Sequence, residues 1–281
     1  MIGRDRIQYK TADQVRAMRR AGLVVGRTLE LLREQARVGM TTADLDAIAE
    51  REIRGAGATP SFLGYHGFPA TLCVSVNDEI VHGIPGPRVL QDGDVVSIDC
   101  GAIVDGWHGD AALSLVLGTP DPGDERLVET TELAMWRGIA ALGAGRRLHE
   151  VGSAVEDLVD ERADDGGALD GHGYGIVEEY VGHGIGTEMH QDPQVPNYRV
   201  RDRGPTVRSG VTVAIEPMVT LGTAETRVLG DEWTVVTTDG SRAAHWENSV
   251  AVTDQGIWVL TALDGGKARL EAAGAAYAPL V

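Results

Sequence analysis

The chain has 281 residues, of which 43% are hydrophobic and 24% charged, and its formal net charge is −17. This composition indicates a globular protein of one large domain or two small ones, and the acidic charge disfavours broad electrostatic binding to nucleic acid or anionic membranes. The two cysteines, Cys73 and Cys100, are too few for a disulfide scaffold. No apolar run approaches the roughly 18 residues of a membrane span, and the N-terminal segment MIGRDRIQYKTADQ lacks the apolar stretch of a signal peptide, so we expect a cytoplasmic protein.

The first part of the chain predicts two helices followed by strands. Residues 11–37 carry apolar side chains at three- and four-residue steps, which is the pattern of an amphipathic helix. Thr41 or Thr42 is suited to cap a second helix, which ends in the glycine-rich stretch 55–57. Strand-like runs follow at residues 70–76, 94–103 and 111–117.

The same order of elements returns after a break at residues 119–124. We expect a helix near 125–142 and a capped helix near 149–163, then strands near 174–181, 211–216, 233–237 and 247–253. A shift of 106 residues also aligns similar residues, among them Gly39 with Gly145 and Glu50 with Glu156.

This repetition predicts two related halves, about 11–118 and 125–260, within a single α+β domain of residues 1–263. Two unrelated domains are the alternative. The Ala- and Gly-rich tail of residues 264–281 is expected to dock loosely and to carry no chemistry.

Two aspartates flank a predicted hairpin turn in DVVSIDCGAIVDGWHGDAALSLVLG. Asp105-Gly106 is a turn signal, and centring the turn between Val104 and Asp105 places Asp99 opposite Asp110. Facing residues have Cβ atoms roughly 5 Å apart, which suits two carboxylates that hold metal ions about 3.5–4 Å apart. The alternative, two solvated acids beside a turn, is disfavoured because Asp99 lies within the apolar run VVSIDC.

Other polar residues stand in or beside apolar runs, where acidic side chains are disfavoured and costly to bury without a partner or a metal. Glu216 ends VTVAIEPM, where Pro217 suggests a strand end, and Glu247 opens ENSVAVT. His183 and His190 lie seven residues apart in a glycine-rich irregular strand or loop, unlike the i, i+4 pair of a metalloprotease helix. Two Asp, two Glu and a His form the oxygen-plus-imidazole set that holds a pair of divalent cations, so these residues predict a two-metal hydrolase.

Two more histidines leave alternatives open. His82, in the segment NDEIVHGIPG, is either a mobile-loop residue or a catalytic acid/base with a suitable pKa. His108 and Asp110, with a distant histidine, could form the triad of non-haem iron oxygenases. That reading leaves three acidic residues without a role.

Taken together, these segments resemble the type I methionine aminopeptidases of the pita-bread metallopeptidases, in their short bacterial form. The resemblance extends from about residue 12 to about residue 262. It implies an α+β pita-bread fold, in which two pseudo-symmetric halves pack helices on a curved antiparallel sheet. The matching stretches occur in family order and are LGYHGFPATLCVSVNDEIVHGIP, GDVVSIDCGAIVDGWHGD, YVGHGIGTEMHQDPQVPNY, VAIEPM and WENSVAVT.

The resemblance implies a dinuclear metal site that activates a hydroxide and contains cobalt, manganese, iron or zinc. Asp110 and Glu247 would bridge the two ions, Asp99 would complete one site, and His183 and Glu216 the other. These five residues are the implied metal ligands.

The resemblance also implies how the substrate is handled. Glu216 would act as general base and pass the proton to the leaving amine, His190 would stabilise the oxyanion, and His82 would contact the departing nitrogen. The pocket for the methionine side chain would be lined by Tyr65, Phe68, Cys73, Met189 and Trp233. Departures from the family pattern bear on second-residue preference and occur at Phe62, Met189, Trp246 and Asn248.

The implied activity is removal of the N-terminal methionine from nascent proteins and peptides with small second residues. The expected partners are nascent N-termini and, transiently, the ribosome, with no specific nucleic acid, no membrane and a monomeric state. An X-Pro aminopeptidase of the same fold is disfavoured because the roughly 90 residues before Asp99 leave no room for its long N-terminal domain. A catalytically dead RNA-binding relative is disfavoured by the acidic charge and the complete ligand set.

Overall fold

The computed structural model describes residues 7–143, 145–164 and 173–280. The predicted bounds 1–263 and 264–281 therefore include residues outside the described part. The α-helices are α1 (Ala12–Gln35), α2 (Thr42–Gly55), α3 (Pro122–Ala141), α4 (Glu150–Asp164) and α5 (Lys267–Ala272). The β-strands are β1 (Thr59–Pro60), β2 (Leu72–Val76), β3 (Glu79–Val81), β4 (Val95–Val104), β5 (Trp107–Val116), β6 (Gly175–Ile176), β7 (Gly182–Gly184), β8 (Gln191–Val195), β9 (Thr212–Ile215), β10 (Met218–Thr220), β11 (Thr226–Val228), β12 (Val235–Thr237), β13 (Ala243–His245), β14 (Glu247–Val252) and β15 (Ile257–Val259).

The first two helices begin at the threonines that the sequence marks as caps. Thr11 accepts a hydrogen bond from the backbone N–H of Gln14, and the Gln14 side chain accepts one from the Thr11 N–H, which completes a capping box at α1. Helix α2 has the same arrangement. Helix α1 lies close to the sheet at Gly22, where an added Cβ would be 2.2 Å from the Leu260 carbonyl oxygen. In the described part of the chain, no helix is long and apolar enough to cross a membrane.

Strands β4 and β5 form the predicted hairpin. Val104 pairs with Trp107, so the turn consists of two residues. These residues, Asp105 and Gly106, have φ angles of 51° and 78°, the left-handed conformation that two-residue hairpin turns with matching twist require. The hairpin prediction is confirmed.

The predicted register of this hairpin is wrong. Asp99 pairs with Ala112, and Asp110 pairs with Gly101, because the turn is centred between its two left-handed residues, one position later than predicted. The two aspartates are therefore diagonal neighbours instead of facing residues. Since side chains alternate along a strand, the aspartates still share one face of the sheet.

Within the described residues, the main sheet has nine strands and brings both parts of the chain together. Its order is β1-β4-β5-β14-β9-β7-β8, with β15 also pairing β14 and β2 also pairing β4. The junction is the antiparallel pairing of β14 with β5, in which Glu247 lies opposite Ala112 and Asn248 opposite Ala111. Two three-stranded sheets accompany it, β13-β10-β6 and β11-β12-β3.

Equivalent turns occur 106 residues apart. Gly39 and Gly145 both have a positive φ, of 91° and 86°. The Gly39 N–H donates to the Leu90 carbonyl, and the Gly145 N–H donates to the Val207 carbonyl. The same local geometry thus precedes α2 and α4. The division into two halves at about 11–118 and 125–260 stays a prediction.

Several predicted strands are shorter or more broken than expected. The run 174–181 contains only β6, and the next strand, β7, starts at Gly182. Strand β7 shifts register between His183 and Gly184, in agreement with the predicted irregular strand. Strand β9 ends directly before Glu216, and β14 begins at Glu247, as predicted. The strands that the sequence did not indicate are β1, β3, β8, β10, β11, β13 and β15.

The C-terminal tail is docked firmly, so the prediction of loose docking is wrong. Leu270 in α5 is fully buried in a cluster that includes Met135 and Ile139. The Ala278 N–H donates to the Ile257 carbonyl, which ties the tail to β15. Burial of Leu270 stabilises the docked state by about 2 kcal/mol, and the hydrogen bond of Ala278 holds the end of the segment in addition.

Candidate metal centre and peptide pocket

The sheet order brings five polar side chains to one place. Asp99 lies on β4, Asp110 on β5, Glu247 at the start of β14, Glu216 at the end of β9 and His183 in β7. These five strands are consecutive neighbours in the main sheet, and all five side chains line one cavity of about 310 Å³. We call these five residues the metal floor. All five predicted metal ligands are therefore in one site.

The distances within the metal floor suit shared coordination of a cation. His183 Nε2 lies 3.4 Å from Glu216 Oε1 and 4.0 Å from Asp110 Oδ2. Asp110, His183 and Glu247 each offer a ligand atom within 4.8 Å of the other two. Asp99 lines the same cavity but lies outside that group of three, as does Glu216.

The metal floor contains oxygen atoms that no protein group satisfies. Asp99 Oδ1, Asp110 Oδ1 and Glu247 Oε1 are buried without a hydrogen-bond partner in the described part of the chain. Such atoms are costly to bury unless a cation binds them. The His183 Nδ1–H donates to the Gly184 carbonyl at 3.0 Å, which leaves Nε2 free to face the site. Carboxylates with one imidazole are a donor set that binds divalent metals, so the residues fit a metal.

The protonation of the metal floor reflects burial and repulsion between its carboxylates. Burial raises the pKa of Asp99 to about 7. Burial, with the neighbouring carboxylates, raises the pKa of Asp110, Glu216 and Glu247 well above the ordinary range. Burial also lowers the pKa of His183 to about 3, so its imidazole is neutral and able to coordinate. A bound cation favours the ionised carboxylates and offsets this repulsion.

The rest of the cavity is mainly apolar. The Phe68 ring meets the Trp233 ring edge-on, with centroids 5.0 Å apart. The Cys73 residue on β2 pairs with Asp99 on β4, so the apolar surface adjoins the metal floor directly. We call this surface the apolar wall, which consists of the five predicted pocket residues Tyr65, Phe68, Cys73, Met189 and Trp233.

The two predicted substrate histidines also line the cavity. His190 lies beside His183, with ring centroids 4.3 Å apart. His82 has a positive φ of 60° and its ring packs edge-on against Tyr180 at 5.4 Å. Burial lowers the pKa of His82 to about 4, so the expectation of a suitable resting pKa does not hold. His82 is a neutral imidazole near pH 7.

Residues that the sequence did not single out complete the site. Phe62, which the sequence analysis names only as a departure from the family pattern, lines the cavity. The other lining residues that the sequence did not indicate are Glu179, Tyr180, Val181 and Met218. Buried His245 has its Nε2 at 3.9 Å from Glu216 Oε2. The sequence offers one signal for His245, which is that it precedes the predicted metal ligand Glu247 by two residues.

His108 is held elsewhere. Its Nδ1 lies 3.0 Å from the Ser61 hydroxyl, and it is not among the residues that line the cavity. The iron-oxygenase triad therefore gains no support from this geometry.

Comparison with known proteins adds independent information. A family model described as metallopeptidase family M24 matches residues 16–254. Methionine aminopeptidase 1 of Mycobacterium tuberculosis is 51% identical over 260 residues, which cover 92% of this chain and 96% of the relative. Methionine aminopeptidase 1 of Bacillus subtilis is 43% identical over 252 residues, which cover 90% and 98%.

Solved structures of other proteins share the fold of this chain. The chain resembles the methionine aminopeptidase of Thermotoga maritima with a TM-score of 0.86 at 36% identity, covering 91% of this chain and 99% of that one. The prolidase of Pyrococcus furiosus has a TM-score of 0.69 at 20% identity, covering 90% of this chain and 65% of that one. The predicted α+β pita-bread fold is confirmed.

Proposed function

The chain belongs to metallopeptidase family M24 and, within it, to the methionine aminopeptidases, and from this premise we propose that it removes N-terminal methionine from peptides with a small second residue. As a member it is a metal-dependent exopeptidase. The observation that carries the proposal is the contact between the metal floor, with its unsatisfied carboxylate oxygens, and an apolar wall of suitable chemistry for a thioether side chain.

The metal floor holds divalent metal in this proposal. We propose that Asp99, Asp110, His183, Glu216 and Glu247 would together hold two divalent ions. Cobalt, manganese, iron and zinc all suit carboxylate and imidazole ligands. When bound, the metal supplies Lewis acidity and lowers the pKa of water at the site.

The protein groups then perform the proton transfers. Glu216 takes a proton from the attacking water and passes it to the nitrogen of the leaving amine. His190 donates a hydrogen bond to the scissile carbonyl oxygen as negative charge develops on it. His82, neutral at pH 7, contacts the leaving nitrogen and helps its protonation.

The apolar wall sets the specificity for the first residue. Met189 and Cys73 are buried, and Trp233 packs against Phe68, so an unbranched thioether finds apolar contact on several sides. Phe62, also buried, restricts the space at the pocket edge, which favours small second residues.

We further propose that the substrates are nascent polypeptide N-termini in the cytoplasm. Transient association with the ribosome, without a specific nucleic-acid partner or a membrane, would bring them to the enzyme. We also propose that the enzyme acts as a monomer, with the whole metal floor supplied by one chain.

A direct assay tests the proposal. Metal-stripped protein is incubated with Met-Ala-Ser and with an X-Pro peptide, and Co²⁺, Mn²⁺, Fe²⁺ or Zn²⁺ is then added back. We expect methionine release from Met-Ala-Ser only after metal addition. Cleavage of the X-Pro peptide without methionine release would contradict the proposal and favour a prolidase-like activity, although the prolidase that shares the fold is longer.

A further inference from the structure

Tyr65 makes a direct contact with His190 that its place in the apolar wall does not require. The Tyr65 hydroxyl oxygen lies 2.8 Å from His190 Nδ1, and the two ring centroids are 5.5 Å apart. A phenylalanine would offer the same apolar surface to a substrate. The hydroxyl therefore has a separate role to explain.

The backbone around Tyr65 is built as a tight turn. The residues before and after it, Gly64 and His66, have positive φ angles of 84° and 49°. The Gly64 N–H donates to the Phe68 carbonyl at 2.8 Å, and the Phe68 N–H donates to the Tyr65 carbonyl at 2.9 Å. This turn fixes the backbone from which the Tyr65 side chain reaches His190.

The contact bears on which nitrogen of His190 carries the proton. A neutral imidazole has one donor nitrogen and one acceptor nitrogen. A tyrosine hydroxyl can donate a hydrogen bond to an acceptor nitrogen, so the 2.8 Å contact fits a His190 ring whose Nδ1 accepts. The remaining proton of His190 then belongs to Nε2.

We propose that Tyr65 is a positioning residue whose hydroxyl donates a hydrogen bond to His190 Nδ1. The proton of the His190 ring then stays on Nε2, and this Nε2–H is directed at the substrate carbonyl. The proposal rests on the role assigned to His190 under the proposed function. The terminal torsion of a histidine side chain is broad, so a fixed contact is needed to select one orientation. A donor of fixed direction stabilises developing charge without reorganisation.

Removal of the hydroxyl alone tests the proposal. For Y65F we expect kcat on Met-Ala-Ser to fall about 10-fold while KM changes less than about 2-fold, because the ring still contributes its apolar surface. The control Y9F loses a hydroxyl from a tyrosine that is 42% exposed and outside the cavity, and its kinetics should match wild type. A rise in KM with unchanged kcat would overturn the proposal and leave Tyr65 as pocket lining only.

A double-mutant cycle identifies the route of the effect. If Tyr65 acts through His190, the variant Y65F/H190A should be no slower than H190A. Independent, multiplying losses would contradict the proposal. Metal content and thermal unfolding of each variant exclude loss of the site or of the fold as the cause.

A measurement without turnover separates this proposal from the proposed function. Imidazole ¹⁵N NMR of the Zn²⁺-loaded protein, with His190 identified by its loss in H190A, should show the Nε2–H tautomer in wild type and a mixture in Y65F. A wild-type Nδ1–H tautomer would overturn the proposal. If the tautomer is as expected but no metal ion supports methionine release, the proposed function fails and the hydrogen-bond assignment stands.

Discussion

The metal floor and the apolar wall face the same cavity but are built in opposite ways. The floor residues come from five neighbouring strands, and three of their carboxylate oxygens lack a hydrogen-bond partner among the residues that the structure describes. The wall comes mainly from turns and irregular segments, and its side chains form an ordinary apolar cluster. The floor therefore opposes folding until a cation binds, whereas the wall stabilises the fold whether or not the cavity is filled.

This difference predicts that changes in the floor act on turnover. In Glu216→Gln the side chain keeps its shape but loses its basicity, so we expect kcat to fall about 10³-fold with little change in KM. Steady-state kinetics on Met-Ala-Ser, with the metal content of each sample measured, give both values. The control Glu178→Gln alters an exposed acid that does not line the cavity and should behave as wild type.

Unchanged turnover in Glu216→Gln would remove this residue from the mechanism. A large rise in KM with normal kcat would mean that Glu216 contributes to substrate binding, as the apolar wall does. The contrast between the metal floor and the apolar wall would then be wrong.

The floor also predicts an unusual pH dependence of stability. Burial and mutual repulsion raise the pKa of Asp110, Glu216 and Glu247 above their values in the unfolded chain. Their stabilising contribution is therefore complete at low pH and is lost as the pH rises through the folded-state values. Between pH 7 and pH 8 these carboxylates are ionised in the unfolded chain and hold more protons in the folded one, which gives the slope a negative sign. We expect the free energy of unfolding of the metal-free protein to fall over this interval, by at most about 1.4 kcal/mol for each such group.

Urea unfolding of the metal-free protein at the two pH values measures this slope. Asp110→Asn removes one of the titrating groups and should flatten it. Saturating Mn²⁺ should reverse it in wild type, because the metal binds the ionised carboxylates and its stabilisation grows with pH. A slope that is the same with and without Mn²⁺ would show that the floor is not the source.

The same contrast explains what the sequence reveals. An acidic residue within an apolar run conflicts with its surroundings, so Asp99 and Glu216 stand out in a single sequence. Wall residues such as Trp233 look like core and were assigned only through the family resemblance. The pairing of β4 with β5 is predicted correctly, but the predicted register is wrong because the turn is centred one position later than the sequence suggests. The raised and lowered pKa values could not be predicted, because they depend on how completely His82 and its neighbours are enclosed in three dimensions.

A change in the wall should have the smallest effect and should act on binding. Trp233→Ala removes the ring that packs against Phe68, and we expect KM for Met-Ala-Ser to rise about 10-fold with kcat changed less than about 3-fold, since a lost apolar contact of this kind costs about 1.5 kcal/mol. The matched control is Val228→Ala. Val228 is exposed and lies on β11, which pairs with β12, the strand that follows Trp233, so both constants should stay unchanged. A fall in kcat at constant KM would mean that Trp233 supports the metal floor, since only a group that acts on the transition state lowers turnover without weakening substrate binding.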